Sequence, residues 1–388
     1  MFVLRLVLKN ALRHKLRTGL TILGIGIAVM SFGFLRTIVT AWSSGVEASA
    51  ANRMITRNSV SFIFPLPLSY RDQLARVQGV TDVSFATWFG GTFKDPADFS
   101  NFFPRIAVDV DTYFDVYPEF IVPPDQMGEF LRDRRACMVG RKIADQHSLK
   151  IGDIVPIDGD IYPGTWEFVV RGIYTGKDPT VDETQMFFHW KYLDERIAQL
   201  QPVRAGNVGW YILRVANVGD MPAVARSIDE RYLNSVAGTK TETEKEFQQS
   251  FVSLSSAIIA SLEAVSIVIV GIILLVLANT IVMSARERTV EYAVLKTLGF
   301  KPFHIVGLIG GESFLIAGLG GLLGLVLTFP IAEAFGQAFP TFFPVFKVQT
   351  LTIILAAFIA MVAAVVASLF PVIRTLRSRI VDGLRAIG

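Results

Sequence analysis

Four long apolar stretches constrain this chain more than any other feature of its sequence. They occupy residues 20–40, 255–283, 305–334 and 350–371. Each is long enough to cross the hydrocarbon core of a bilayer as a helix, which takes about 20 apolar residues. The chain is 52% hydrophobic and only 18% charged, so it lacks the charge that a soluble protein of this size needs on its surface. These stretches therefore predict four transmembrane helices, the last of which is expected to stop at Pro371.

Three carboxylates lie in or near the second and third stretches, namely Glu263, Glu312 and Glu333. A carboxylate inside a membrane is costly and is a candidate functional group by default. All three are expected near helix ends, where water reaches them. The spans do not contain the buried charge pairs that a proton-coupled transporter needs, so a proton relay is disfavoured.

Basic residues predict the orientation of the chain. They are concentrated in residues 1–19, 284–304 and 372–388, whereas the loop at 335–349 holds Lys347 as its one basic residue. Short loops rich in Lys and Arg face the cytoplasm. Both termini are therefore predicted to be cytoplasmic, the chain is expected in the bacterial inner membrane, and residues 41–250 are expected in the periplasm. A cleaved signal peptide is the competing interpretation of residues 20–40, but Ala48 and Ala50 lie beyond the apolar run.

The first 19 residues have helical spacing of apolar and basic side chains. They predict an amphipathic cytoplasmic helix that lies on the anionic inner leaflet, or a simple basic anchor.

The long segment 41–250 mixes short strand patterns with helical ones and contains turn signals between them. It predicts an α+β domain of two lobes, inserted between the first two of the four transmembrane helices. The polar run 242–251 contains neither Gly nor Pro, so it is expected to continue into the second span as one helix, with a plain linker as the alternative.

Catalytic and cofactor motifs are missing from the sequence. Its four histidines have no metal-ligand spacing, and Cys137 is its one cysteine. A G-x-x-x-x-G-K-[ST] loop, which would cradle ATP, is also absent. The chain is therefore expected to be non-catalytic and without a cofactor of its own, so that any ATP and Mg²⁺ must be bound by another polypeptide.

The segment 284–304 predicts a short amphipathic helix on the cytoplasmic side, followed by a turn at Gly299. Its charges alternate in sign, and its apolar side is expected to comprise Val290, Ala293, Val294 and Leu298. Such a helix can dock into a groove of a soluble partner. The candidate docking residues are Arg286, Glu287, Arg288, Glu291, Val294, Leu298 and Gly299.

The third span is rich in glycine at intervals of four residues, at Gly307 and Gly311 and again at Gly320 and Gly324. Small residues at this spacing let membrane helices approach closely, so these four are candidate packing residues.

Several runs of the sequence resemble the permeases of the MacB/FtsX superfamily of ABC transporters. They are R-E-R-x-x-E-Y-A-V-L-K-T-L-G and the following G-E-S and G-G-L-L-G, the opening NALRHKLRTGLTILGIGIAV, the middle MVGRKIADQHSLKIGDIVPI and the tail PVIRTLRSRIVDGLRAIG. The tail departs from the family pattern at Val381, where proline is usual, and at Gly383. The order of the motifs and the number of spans agree with a MacB-like permease that lacks a fused ATPase domain.

This resemblance implies a partner and a mechanism. Such permeases work as a dimer with a second copy or a paralogue and bind a cytoplasmic ABC ATPase, whose motion passes to the periplasmic domain, a process called mechanotransmission. Some also use a periplasmic adaptor and an outer-membrane duct. The chain is thus expected to be the permease subunit of a system for efflux or for lipid or glycolipid export.

Two alternatives within the family are a division-type transducer that activates a periplasmic cell-wall hydrolase and a lipoprotein-release permease. A membrane-anchored enzyme or sensor is a further alternative. The large segment 41–250 disfavours the transducer, whose periplasmic domain is usually smaller, and the missing catalytic motifs disfavour an enzyme.

Overall fold

The structure of the chain is a computed structural model that describes residues 7, 11, 13–47, 50–339, 343 and 345–377. Most of the amphipathic segment 1–19 lies outside the described residues, as do residues 378–388 of the tail 372–388 and residue 48 of the alternative cleavage site. The chain divides into two compact units. A membrane unit comprises residues 1–40, 256–335 and 346–388, and an outer domain comprises residues 41–255 and 336–345.

The helices follow one another along the chain with very different lengths. They are α1 (Lys15–Glu47), α2 (Tyr70–Leu74), α3 (Tyr113–Val116), α4 (Pro124–Arg132), α5 (Arg141–His147), α6 (Trp190–Leu200), α7 (Met221–Tyr232), α8 (Glu244–Leu254), α9 (Ser256–Glu287), α10 (Thr289–Thr297), α11 (Pro302–Ala338) and α12 (Thr350–Arg377).

The strands all belong to the outer domain. They are β1 (Arg53–Asn58), β2 (Leu66–Pro67), β3 (Val80–Trp88), β4 (Gly91–Thr92), β5 (Arg105–Val108), β6 (Phe120–Ile121), β7 (Ala136–Gly140), β8 (Ile154–Gly159), β9 (Gly164–Gly176), β10 (Met186–His189), β11 (Asn207–Val208), β12 (Trp210–Val215) and β13 (Thr239–Thr243).

Within the described residues, four helices are long and apolar enough to cross a membrane, namely α1, α9, α11 and α12. The prediction of four transmembrane helices is confirmed. The expectation that the last helix stops at Pro371 is wrong, because α12 continues through this proline to Arg377. Proline removes one N–H donor from the helix but does not prevent the following turn from forming.

The membrane unit packs small side chains of α12 against larger ones of the other spans. Ala356, Ala360 and Ala364 of α12 are buried in one cluster with Ile25 of α1 and Ile273 of α9. Hydroxyl groups add polar contacts inside this cluster. The Oγ of Ser313 donates to the carbonyl oxygen of Ala364 at 2.8 Å, and the hydroxyl oxygens of Thr21 and Thr280 lie 3.0 Å apart. Alanine at these positions lets the helix backbones approach closely.

The expected continuous helix from the outer domain into the second span is interrupted at Ser255. Helix α8 begins with a capping box, in which the Thr243 hydroxyl accepts from the Glu246 N–H while the Glu246 carboxylate accepts from the Thr243 N–H. It ends at Leu254, and α9 begins at Ser256. Serine hydroxyls compete for backbone groups here, since Ser253 Oγ donates to the carbonyl oxygen of Ser250.

The outer domain is built on one mixed sheet of 11 strands. Its strand order is β13-β1-β12-β3-β5-β10-β7-β9-β8-β4, with β6 paired to β9, and a separate ribbon joins β2 to β11. The pairs β5–β10 and β7–β9 are parallel, and the other pairs of this path are antiparallel. The prediction of an α+β domain is confirmed, and the sheet lies within one compact unit.

The central sheet is buried on both faces. Phe187 and Phe188 are neighbours on β10, yet Phe188 belongs to the cluster with Phe85 and Trp166, while Phe187 belongs to the cluster with Tyr113. Successive side chains of a strand point to opposite faces, so aromatic pairs of this kind supply both cores at once. Burial on both faces explains why the central strands β5, β7 and β10 read as largely apolar runs rather than as alternating patterns.

Acidification is expected to destabilise the outer domain through His189. This ring is 2% exposed, and its Nε2 lies 2.7 Å from the carbonyl oxygen of Phe130, to which it donates as the neutral tautomer. Burial lowers the pKa of His189 below its ordinary 6.5, and the charge of Arg134 also lowers it. The unfolded chain therefore binds the proton first, and stability falls as the pH drops from about 6.5 towards the lower folded value.

The melting temperature of the purified chain, measured between pH 8 and pH 5, checks this expectation. A His189→Asn variant keeps an N–H donor for Phe130 but cannot take up the proton, so it should lose part of the acid sensitivity. An unchanged pH dependence in that variant would contradict the assignment.

Candidate functional site

The predicted cytoplasmic helix is present as α10, which lies between the spans α9 and α11. Glu291 in its first turn and Lys296 in its last turn complement the helix dipole. Gly299 ends the helix with a φ of +82°, and two hydrogen bonds close the end, from Gly299 N to Lys296 O and from Phe300 N to Leu295 O. This is a Schellman motif, so the turn expected at Gly299 has a defined geometry. We call residues 288–301 the connector.

The connector has one buried face and one exposed face. Tyr292 and Ala293 are buried against the membrane unit, whereas Glu291, Val294 and Leu298 are exposed at a spacing of three and four residues. Val294 is 41% exposed and Leu298 is 70% exposed. The apolar side expected from the sequence is thus divided, because Ala293 packs inwards while Val294 and Leu298 face outwards.

Arg288 and Glu312 form a buried ion pair inside the membrane unit. Their side chains are 3% and 7% exposed, and Arg288 Nη1 lies 2.9 Å from Glu312 Oε2. Ser284 Oγ donates to the other carboxylate oxygen at 2.8 Å. The expectation that Glu312 lies in reach of water, and that the spans hold no buried charge pair, is wrong. The two partners are 24 residues apart on different helices, so sequence spacing does not reveal their contact.

Tyr292 adds a neutral polar group beside this pair. It is 3% exposed, and burial raises its pKa to about 12, although the neighbouring charge of Arg288 acts in the opposite direction. The phenol therefore stays protonated at physiological pH and contacts the guanidinium without adding a charge.

Lys296 attaches the connector to the last span. Its Nζ donates to the carbonyl oxygen of Thr375 at 2.7 Å, close to the C-terminal end of α12. Carbonyl groups at a helix C-terminus lack intrahelical donors, so a lysine ammonium there supplies both a hydrogen bond and a favourable charge. Lys296 is not among the docking residues predicted from the sequence.

Basic residues near the start of α1 pair with the acidic residues of this region. Arg17 donates to both carboxylate oxygens of Glu287, at 2.8 and 2.9 Å, and His14 lies 3.4 Å from the same carboxylate. Arg13 forms an ion pair with Glu291. These side chains are partly exposed, so each pair contributes little by itself, but together they attach the connector region to the first span.

The candidate docking residues therefore separate into groups with different surroundings. Arg286 is exposed, whereas Arg288 is buried, although both belong to the same R-E-R run. Glu287 and Glu291 form ion pairs with basic residues of the N-terminal region. Val294 and Leu298 present apolar surface on the exposed side of the connector.

The four candidate packing glycines also differ in their surroundings. A Cβ at Gly320 would lie 2.7 Å from Ile25 Cγ2, and one at Gly324 would lie 2.5 Å from the carbonyl oxygen of Gly26, so both positions face α1 at close approach. A Cβ at Gly311 would lie 3.0 Å from Val7 Cγ2. At Gly307, no heavy atom of the described residues lies within 4 Å of that position.

Among the described residues, no group of three or more His, Cys, Asp and Glu side chains is arranged so that it could hold a metal ion. Cys137 is buried, and burial raises the pKa of its thiol, so it is a poor nucleophile. The connector thus has apolar surface on one side and, on the other, ion pairs with Glu312 and Arg13 and a hydrogen bond to the end of α12.

Two family models match the chain and together cover most of it. The MacB-like periplasmic core domain matches residues 18–231, and the FtsX-like permease C-terminal domain matches residues 263–380. The first match alone spans more than half of the chain, and the second includes the connector.

One curated relative is an uncharacterized ABC transporter permease protein, Rv0987, of Mycobacterium tuberculosis. It is 23% identical over 267 residues, which cover 65% of this chain and 29% of the relative. The chain therefore matches less than a third of the length of that protein.

Two solved structures resemble the outer domain. The extracellular domain of the noncanonic ABC-type transporter YknZ from Gram-positive bacteria is 12% identical, with a TM-score of 0.35, covering 50% of this chain and 100% of that domain. The periplasmic region of MacB from Actinobacillus actinomycetemcomitans is 11% identical, with a TM-score of 0.37, covering 52% of this chain and 92% of that region.

Proposed function

Because this chain belongs to the MacB/FtsX family of ABC transporter permeases, we propose that it transmits ATP-driven motion from a separate cytoplasmic ATPase to its outer domain. In this proposal both termini are cytoplasmic and the outer domain is periplasmic. The motion drives efflux or the export of a lipid or glycolipid. A second permease copy or a paralogue completes the transporter, with a periplasmic adaptor and an outer-membrane duct as further partners.

The exposed apolar side chains of the connector carry this proposal. Val294 and Leu298 are held outwards on a short helix between two spans, beside the exposed carboxylate of Glu291. Apolar groups that a short amphipathic helix presents to solvent are characteristic of docking into a groove of another protein. We propose that this face enters a groove of the ATPase.

The contacts on the opposite side of the connector support transmission of force. Arg288 joins it to α11 through Glu312, and Lys296 joins it to the end of α12. Ion pairs of Glu287 and Glu291 join the same region to the start of α1. A push on the exposed face would therefore displace three helices together rather than bend a free loop.

In our proposal ATP is bound by the partner ATPase and not by this chain. The sequence of this chain lacks a phosphate-binding G-x-x-x-x-G-K-[ST] loop, so in our proposal the ATPase binds ATP and Mg²⁺ and this subunit is non-catalytic.

Replacing Leu298 with aspartate is expected to weaken ATPase binding by at least about 30-fold. The introduced charge would have to be desolvated in an apolar groove, and loss of a central apolar anchor commonly costs about 2 kcal/mol or more. The measurement is co-purification of the tagged chain with a co-expressed ABC ATPase from the same organism, followed by titration of the detergent-solubilised pair.

The matched control is Thr289→Asp, which adds the same charge at an exposed position in the first turn of α10, on the side of the helix opposite Leu298. This control should retain most of the binding. Equal affinities for the wild type and the Leu298→Asp variant would show that the ATPase docks elsewhere.

A further inference from the structure

The outer domain contains a cavity of about 590 Å³. Its walls include the aromatic side chains of Tyr113, Tyr117, Phe120, Trp210 and Phe247. Cavities that hold drug-sized ligands have volumes of roughly 300–1,000 Å³ and are lined mainly by apolar and aromatic groups. The size and the walls of this cavity therefore suit an organic molecule rather than a metal ion or a peptide strand.

A buried charge cluster forms one wall of the cavity. Arg53 lies 2.8 Å from Glu244 through its Nε, and its Nη1 donates to Glu119 at 2.9 Å. The side chains of Arg53 and Glu244 are 4% and 6% exposed, and that of Glu119 is 25% exposed. Two carboxylates thus share one guanidinium, and the cluster has an excess negative charge that burial makes unfavourable.

Further groups on the cavity wall are also negatively charged. Asp178 and Asp182 also line it, so that the cavity is lined by four carboxylates and by the single guanidinium of Arg53. Burial raises the pKa of both Tyr113 and Tyr117, so these phenols stay neutral. The electrostatic potential inside the cavity is therefore negative and favours a positively charged occupant.

An unpaired acceptor points to the same kind of occupant. Gln248 of α8 lines the cavity, and its Oε1 is buried without accepting a hydrogen bond from the described residues. A buried amide oxygen is unfavourable until a donor reaches it. An ammonium or amidinium group of a ligand is such a donor, and aromatic faces attract the same cations.

We propose that this cavity binds an organic cation with an apolar, preferably aromatic, body as the cargo of the permease. The assignment of this ligand as cargo rests on the proposed function, whereas its binding does not. The aromatic walls would hold the body of the molecule, and the excess carboxylate charge near Arg53 would balance its cationic centre.

Tetraphenylphosphonium and tetraphenylborate form a matched pair of probes, because they have nearly the same shape and opposite charges. The full chain is reconstituted in nanodiscs of zwitterionic lipid, and binding of radiolabelled tetraphenylphosphonium is measured by scintillation proximity after subtraction of empty nanodiscs. Binding of radiolabelled tetraphenylborate is measured in separate samples, because the two ions precipitate together. We expect saturable tetraphenylphosphonium binding with a dissociation constant at least tenfold lower than that for tetraphenylborate. Equal affinities for the two ions would overturn the proposal.

Two variants remove negative charge from the cavity. Glu119→Gln leaves Arg53 paired with Glu244, and Asp178→Asn keeps an oxygen that accepts from the N–H of Thr180. Each is expected to weaken tetraphenylphosphonium binding by about three- to tenfold. Asp178 is exposed, so its variant tests the cavity even if Glu119→Gln disturbs folding.

The control is Glu129→Gln, which removes an exposed carboxylate of α4 that does not line the cavity. It should bind the probe as the wild type does. If Glu119→Gln and Asp178→Asn both bind tetraphenylphosphonium as tightly as the wild type does, the probe binds elsewhere and the proposal is overturned.

Co-purification with the ATPase separates this proposal from the proposed function. If the ATPase binds and tetraphenylphosphonium does not, the cavity assignment alone is wrong. If tetraphenylphosphonium binds selectively and the ATPase does not, the cavity assignment holds and the proposed function fails.

Discussion

Replacing Arg288 with alanine is expected to lower the free energy of unfolding of the membrane unit by about 3–5 kcal/mol. The change removes the guanidinium from a buried pair and leaves the carboxylate of Glu312, which is 7% exposed, hydrogen-bonded to the Ser284 hydroxyl. An unpaired buried charge is far more destabilising than the loss of a surface ion pair. Unfolding of the detergent-solubilised chain by increasing denaturant, followed by tryptophan fluorescence, measures the effect.

The R-E-R run provides a matched control in Arg286, which has the same chemistry but an exposed side chain. Arg286→Ala should change the free energy of unfolding by no more than about 0.5 kcal/mol. The double variant Arg288→Met with Glu312→Leu removes both charges and should recover most of the loss. Equal destabilisation by Arg286→Ala and Arg288→Ala would contradict the buried pair.

Replacing Gly324 with alanine is expected to destabilise the membrane unit by about 1–3 kcal/mol. The new Cβ would lie 2.5 Å from the carbonyl oxygen of Gly26 and 2.7 Å from the Cβ of Val29, so α1 and α11 would have to separate. Backbone atoms cannot move aside as a flexible side chain can. The same denaturant titration measures this change.

Gly307→Ala is the control on the same helix, and it should stabilise the membrane unit instead of destabilising it. No described atom lies within 4 Å of a Cβ at that position, and alanine is favoured over glycine inside a helix by about 1 kcal/mol. A destabilised Gly307→Ala variant would contradict this expectation and would indicate that another surface, such as a second permease copy, packs against Gly307.

The candidate site was predictable in its position but not in its contacts. The alternating charges and the turn at Gly299 located the connector, because a short amphipathic helix and its C-terminal glycine leave local signals in the sequence. These local signals do not distinguish Arg286 from Arg288. Residues two apart lie on opposite sides of a helix, but only the placement of α11 decides which of the two arginines meets Glu312.

The apolar residues of the connector show the same division. Ala293, Val294 and Leu298 are all compatible with one apolar side, and the sequence alone grouped them. The structure buries Ala293 and exposes Val294 and Leu298, because the neighbouring spans cover only one face of α10. This difference decides which apolar side chains our proposal assigns to the docking face.

The sequence by itself determined that the chain has four spans, an α+β domain between the first two and a family-typical connector after the second. Those features follow from local composition and periodicity, which the chain carries in contiguous segments. Only the tertiary structure decided that Glu312 is paired, that Gly324 rather than Gly307 lies against α1, and that two carboxylates share Arg53. Each of those features joins side chains from distant segments, such as Arg53 and Glu244 at a separation of 191 residues, so no local pattern contains it.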